Sequence, residues 1–240
     1  MAAKDDVGCE ALVVPVPYYS FDQKKKEWIP HYEGELFPPN IPVTSYQKYN
    51  LQEERPDVIY VHNPYDDSNY VTSVHPSFYS AELKKYTKKL IYVPYYVTTG
   101  AISPEHTILP VYFHMDYAIV QGERFKRGFK GLPYEDKIIP LGSPKLDRII
   151  RMCKSGEVKM PKEWEKIVKG RRTLMLNTSI SCLLDEGSIM LDKLMWLFKK
   201  IKQYPGLALI WRPHPLLRST IESMRPQLLM QYEELIAYFQ

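Results

Sequence analysis

The chain has 240 residues, 45% of them apolar, and a net charge of only +4, so neither disorder nor a dedicated nucleic-acid surface is favoured. Its three cysteines, Cys9, Cys153 and Cys182, fit neither a disulfide framework nor a zinc site, which points to a reducing compartment. No apolar run reaches the length of a membrane span and no signal peptide opens the chain, so a cytoplasmic protein of one large or two small α/β domains is expected.

In chain order, residues 1–7 read as the tail of a helix and the β-branched run 10–16 as a strand. Residues 18–42 read as a long connection without structure, with Lys24, Lys25 and Lys26 at an exposed turn. A short strand over 41–46 and a short helix over 46–55, stopped by Pro56, follow. The apolar run 57–61 is a strand that delivers His62, Asn63, Asp66 and Asp67 to its end. Pro76 suits the first turn of a helix over 77–88. Strands are predicted over 90–95, 117–120 and 137–141, with helices over 104–113 and 123–130 between them. Gly142 and Ser143 then form a strand-to-helix turn, with Ser143 as N-cap and Pro144 as first residue of a helix over 145–154.

Residues 155–161, with glycine, charges and proline, read as a linker. Beyond it come a helix over 162–169, a strand over 173–176 ending at Asn177, Thr178 and Ser179, and an amphipathic helix over 186–203. The run 207–211 reads as a strand buried on both faces and ended by Pro213, leaving Arg212 and His214 beyond it. Ser219 and Glu222 fit a capping box that opens a helix across Met224, which Pro226 interrupts before a second helical stretch continues to Tyr238. The alternation of strands and helices predicts an α/β fold, a Rossmann-like parallel sheet with helices on both faces. Two domains are expected, 1–158 and an incomplete 159–240 that holds only two strands.

No Walker loop, G-x-G-x-x-G, H-E-x-x-H or nucleophile elbow is present, which weakens kinase, dehydrogenase and simple hydrolase readings. Neither a metal nor a cofactor is called for. What remains is polar clusters at strand ends, where open α/β sheets bind ligands. Arg212 offers a planar fork for phosphate and His214 a proton donor or acceptor. His62 among Asn63, Asp66 and Asp67 is either a general base oriented by a carboxylate or an ordinary turn. Asn177, Thr178, Ser179 and Ser181 are either a phosphate-cradling turn or a helix cap. Gly142, Ser143 and Lys145 leave the same pair of readings open. Arg124, Lys126, Arg127 and Lys130, interleaved with Phe125 and Phe129, are either a contact for anionic lipid or polymer or a solvated helix face.

Taken together, Trp211-Arg212-Pro213-His214-Pro215, Asp116-Tyr117-Ala118-Ile119-Val120, Gly142-Ser143-Pro144-Lys145-Leu146-Asp147, His62-Asn63-Pro64-Tyr65-Asp66 and Tyr92-Val93-Pro94-Tyr95 resemble, in their order, the CDP-glycerol glycerophosphotransferase family of teichoic acid polymerases and primases. The resemblance implies a GT-B fold of two Rossmann-like domains. It also implies transfer of glycerol phosphate from CDP-glycerol, or another CDP-alditol, to an anionic wall polymer at the cytoplasmic membrane face, with no nucleic acid involved. It gives Arg212 and His214 to the donor phosphates; the hydroxyl-rich turn of Asn177, Thr178 and Ser179 is the phosphate-binding candidate that the residues themselves add. Catalysis is expected from His214, with a base that is either His62 or absent, and with Asn63, Asp66, Gly142 and Ser143 as supporting residues. The chain departs from the family in lacking a histidine within 92–100 and an Asp-Tyr-Ser-Ser stretch after the Arg-x-His-Pro motif, so a fragment or a truncated copy is expected. Other readings are a non-catalytic nucleotide- or polymer-binding module, and a GT-B glycosyltransferase using another nucleotide-linked donor.

Overall fold

A computed structural model describes residues 8–22, 25–69, 72–97 and 101–239. The expected helix tail at 1–7 lies outside them. The turn at Asp22–Lys26 aside, the chain divides into two compact units, the first running to Ser155 and the second starting at Gly156.

The first unit opens with a feature the sequence did not predict. Residues 10–16 form no regular structure, and neither do 41–46. The strands instead are β1 (Tyr18–Asp22) and β2 (Glu27–His31), which lie within the supposed structureless connection. Prolines at 15 and 17 remove the donors that a strand over 10–16 would need. Aromatic pairs hold the hairpin instead: Tyr18 stacks on His31 at 5.0 Å, and Phe21 meets Trp28 edge-on at 5.3 Å. The four-residue helix α1 (Leu51–Glu54) is capped by the Asn50 side chain and ends at Arg55, before Pro56.

Next come β3 (Val58–Val61) and β4 (Thr72–Val74). β4 pairs antiparallel with β1, which completes a three-stranded sheet of order β2-β1-β4. The helix expected over 77–88 is shorter: a 3-10 turn at Pro76–Phe78 and then α2 (Ser80–Lys84). β5 (Lys89–Tyr92) follows. The helix expected over 104–113 is split at Pro110 into α3 (Pro104–Thr107) and α4 (Val111–His114). Then come β6 (Tyr117–Ile119), α5 (Glu123–Lys126), β7 (Ile138–Ile139) and α6 (Pro144–Ser155).

Strands β3, β5, β6 and β7 form a four-stranded parallel sheet in chain order, flanked by helices. Tyr92, Ala118 and Ile138 on one face are fully buried against Val111, Tyr112, Met115, Phe125 and Phe129. The opposite face differs from the expected two-sided cover. Val58 and Tyr60 stay 40% and 60% exposed, and Tyr117, in register with Tyr60 through Ile91, stays 39% exposed. Every position of 58–61 is apolar, so the pattern alone did not separate one covered face from two.

The second unit contains α7 (Lys162–Val168), β8 (Arg172–Thr178), α8 (Ile180–Glu186) and α9 (Ser188–Ile201). It continues with β9 (Leu207–Pro213), α10 (Leu217–Met224) and α11 (Leu229–Phe239). The helix expected over 186–203 starts later because Gly187, at φ +59°, separates α8 from α9. β8 and β9 pair in parallel from Arg172 opposite Leu207 to Thr178 opposite Pro213. β9 buries Ala208 on one face and Trp211 on the other, with Leu207, Leu209 and Ile210 partly buried. Trp211, Phe198 and Phe239 form an aromatic knot with ring centroids 4.8–5.2 Å apart. The predicted capping box is not formed. Ser219 and Glu222 lie inside α10, where Ser219 donates to the Leu216 carbonyl and Glu222 pairs with Arg218. Among the described residues, no helix is long and apolar enough to cross a membrane.

Candidate functional site

Two groups of polar residues lie at sheet ends, one in each unit. In the second unit, β9 does not stop before Pro213. Arg212 pairs with Asn177 and Pro213 with Thr178, and the His214 N–H donates to the Thr178 carbonyl at 3.0 Å. Alternation turns Trp211 inward and leaves Arg212 exposed. Arg212 and its register neighbour Asn177 are both exposed, and neither has a side-chain partner among the described residues.

The other side chains of this group have structural work. The Thr178 hydroxyl accepts from the Trp211 indole N–H at 3.2 Å. The Ser179 hydroxyl caps α8 by accepting from the Cys182 N–H and bonds Ser181 at 2.9 Å. Of the two readings of this turn, the cap is therefore the one seen. His214 has a mixed role. Its Nδ1 accepts the Leu216 N–H at 3.1 Å and its carbonyl takes the Leu217 N–H. An Nδ1 that accepts a hydrogen bond places the neutral ring's proton on Nε2, so the exposed imidazole offers a donor there.

In the first unit the site lies at the carboxyl ends of the parallel strands. A cleft of about 270 Å³ is lined by Tyr60, Val61, His62, Val93, Pro94, Tyr95, Pro144 and Lys145. A recess of about 10 Å³, room for a single water, shares Val93, Pro94 and Pro144 with it and adds Gly142 and Ser143. The His62 ring meets Tyr95 edge-on at 6.4 Å. Desolvation by the surrounding walls lowers its pKa, so it is neutral near pH 7. Lys145 Nζ makes one long bond, 3.4 Å, to the Tyr95 carbonyl.

The expected general-base constellation is not there. Asp66 is 6% exposed and its carboxylate accepts from the Ser80 N–H and hydroxyl, bracing the start of α2 rather than His62. Burial raises its pKa, and the Ser80 bonds only partly oppose this. The Asn63 side chain accepts from the Tyr65 N–H as a turn residue. Ser143 also departs from expectation. Its carbonyl takes the Leu146 and Asp147 N–H groups, while its hydroxyl caps nothing and is buried without a partner. Gly142, at φ +115°, makes the turn that sets Ser143 there.

The basic and aromatic segment is divided between core and surface. Phe125 and Phe129 are buried in the core, and only the basic side chains reach the surface. Sequence reasoning missed Tyr60 as a wall of the cleft. Its signal was the alternation within 58–61, which places Tyr60 opposite Ile59 and Val61. Among the described residues, no three His, Cys, Asp or Glu side chains are grouped to hold a metal. Searches against protein-family models and curated proteins find no match for this chain.

Proposed function

We propose that the second unit handles the phosphates of a nucleotide-linked donor in a group transfer, with glycerol phosphate leaving CDP-glycerol or a related CDP-alditol for an anionic polymer acceptor. The observation that carries this reading is the pairing of Asn177 with Arg212 at the ends of β8 and β9, with the His214 ring following on a backbone bonded to Thr178. An unpaired guanidinium on a rigid ladder suits a diphosphate, because its orientation is set before the ligand arrives. In the transfer, an acceptor hydroxyl attacks the alditol phosphorus and the bond to the CMP oxygen breaks. Negative charge grows on that oxygen, where Arg212 and the His214 Nε2–H would stabilise it. The acceptor's proton passes to a general base.

A second reading, a nucleotide- or polymer-binding module without turnover, is favoured by one observation: no carboxylate among the described residues orients His62. Calorimetric titration of the chain with CDP-glycerol, CDP and UDP tests the first reading. CDP-glycerol should bind more tightly than UDP, and Arg212→Ala should weaken it about tenfold or more, the usual worth of a charge-assisted hydrogen bond. Equal affinity for UDP, or no change in Arg212→Ala, would defeat the reading. Labelled product from CDP-glycerol with a polymer acceptor separates turnover from binding alone.

A further inference from the structure

The first unit has a feature that the donor reading does not use. Ser143 is only 7% exposed, yet its hydroxyl has no hydrogen-bond partner among the described residues. A buried hydroxyl without a partner costs free energy unless something fills its place. Ser143 lines the recess that shares Pro94 and Pro144 with the larger cleft. It also stands directly before α6, a helix of twelve residues.

The donors at this helix start are not all used. Pro144 has no N–H, and the Leu146 and Asp147 N–H groups are taken by the Ser143 carbonyl. The Lys145 N–H is left without a backbone partner among the described residues. The Lys145 ammonium lines the cleft and, among the described residues, holds only the long bond to the Tyr95 carbonyl and no carboxylate. Among the described residues, no acidic one lines the cleft or the recess. Gly142 at φ +115° has nothing within 4 Å of where a Cβ would stand, so a ligand can approach the backbone. The remaining walls are His62 and the largely apolar Tyr60, Val61, Val93, Pro94, Tyr95 and Pro144, of which the rings of Tyr60 and Tyr95 and the two prolines offer flat faces.

We infer that this cleft is an anion site for a phosphomonoester: the phosphate sits at the start of α6 against the Ser143 hydroxyl, the Lys145 N–H and the Lys145 ammonium, and a small ring lies on the Tyr60 and Tyr95 walls. A helix start supplies the dipole and the N–H groups, the lysine supplies the charge, and the serine supplies a donor already desolvated. The aromatic and proline faces suit the apolar side of a sugar ring. The site is independent of Arg212 and His214, so either assignment can fail without the other.

The test is calorimetric titration of the whole chain with ribose 5-phosphate, ribose and inorganic phosphate. Ribose 5-phosphate should bind more tightly than either part alone. Lys145→Ala should weaken it about tenfold or more, and Ser143→Ala by about threefold to tenfold, with the far-UV spectrum unchanged. Arg212→Ala should leave this binding as it was. Absence of saturable binding at millimolar ribose 5-phosphate would overturn the inference. So would binding that survives Lys145→Ala and Ser143→Ala together, because a buried water would then account for the serine. Binding lost in Arg212→Ala but kept in Lys145→Ala would also overturn it, by moving the anion to the other unit.

Discussion

Asp66 gives the sharpest separation between a structural and a catalytic carboxylate. Its side chain receives the Ser80 N–H at 3.0 and 3.1 Å and the Ser80 hydroxyl at 2.6 Å, and Ser80 itself is 2% exposed. Tyr79, the formal cap of α2, makes no side-chain bond to the helix start, so Asp66 caps the helix from fourteen residues upstream. Asp66→Ala strands two buried donors at about 1–3 kcal/mol each, less what is recovered by no longer burying a carboxylate. Asp66 also sits at φ +46°, where alanine costs about 1 kcal/mol more than glycine. The expected losses are about 3–4 kcal/mol for alanine and about 1 kcal/mol less for glycine. Burial raises the Asp66 pKa in the fold, so its contribution is complete below the ordinary 3.8 and is lost as pH rises through the folded value. The stability gap between wild type and Asp66→Asn should therefore be wider at acid pH than at pH 7. Urea unfolding followed by tyrosine near-UV circular dichroism reads the first unit, because only Tyr204, Tyr232 and Tyr238 of the 19 tyrosines lie beyond it. A loss under about 1 kcal/mol in Asp66→Ala, or a glycine variant less stable than alanine, would refute the brace.

Asp116 should show the opposite pH sign. Partial burial opposes its charge, but Lys84 at 2.5 Å and the Leu90 N–H at 2.7 Å outweigh it and lower its pKa. Its stabilisation is complete above the ordinary 3.8 and fades as pH falls through the lower folded value, so the gap to Asp116→Asn should narrow in acid, as urea midpoints would show. Gly128→Ala would set a Cβ 2.1 Å from Ile102 Cγ2, and a loss of about 1–3 kcal/mol is expected. Adding Ile102→Ala should recover part of that loss in the same unfolding assay, and no recovery would exclude the clash as its cause. Phe198→Ala removes a 2%-exposed ring from between Trp211 and Phe239, at a cost of about 3–5 kcal/mol read by tryptophan fluorescence.

The parallel sheet was legible because its strands are short apolar runs ended by prolines or polar residues, and those runs land on β3, β5, β6 and β7. The antiparallel sheet was not legible, for a physical reason. β2 contains Pro30, and a strand with proline survives only where one row of N–H groups is unneeded. β2 stands at the edge of β2-β1-β4, the position that allows it, but edge position belongs to the assembled sheet and not to the local sequence. β4 has three residues, too few for alternation to register. The failed capping box follows the same logic. Ser219 and Glu222 have the right spacing, but burial of Leu217 and Thr220 starts the helix two residues before the supposed cap.

The candidate sites divide along similar lines. Sequence spacing found the residues at strand ends, yet it assigned their partners by proximity in the chain. His62 and Asp66 are four positions apart, but Asp66 turns back through a left-handed conformation to reach Ser80, so the nearest carboxylate in sequence is already committed. Pro213 shows the converse. Proline was expected to end the strand because it cannot donate to the ladder. In the parallel register, however, the next N–H in line, that of His214, donates to the Thr178 carbonyl and carries the ladder one step further. Arg212 is therefore held within a paired strand rather than on a free turn. His214 follows it with its backbone tied to β8 and its Nδ1 tied to the Leu216 N–H. The two prolines that read as a break instead limit the backbone freedom around the cation and the imidazole. A ligand that meets both would have less conformational entropy to overcome than it would on a loop.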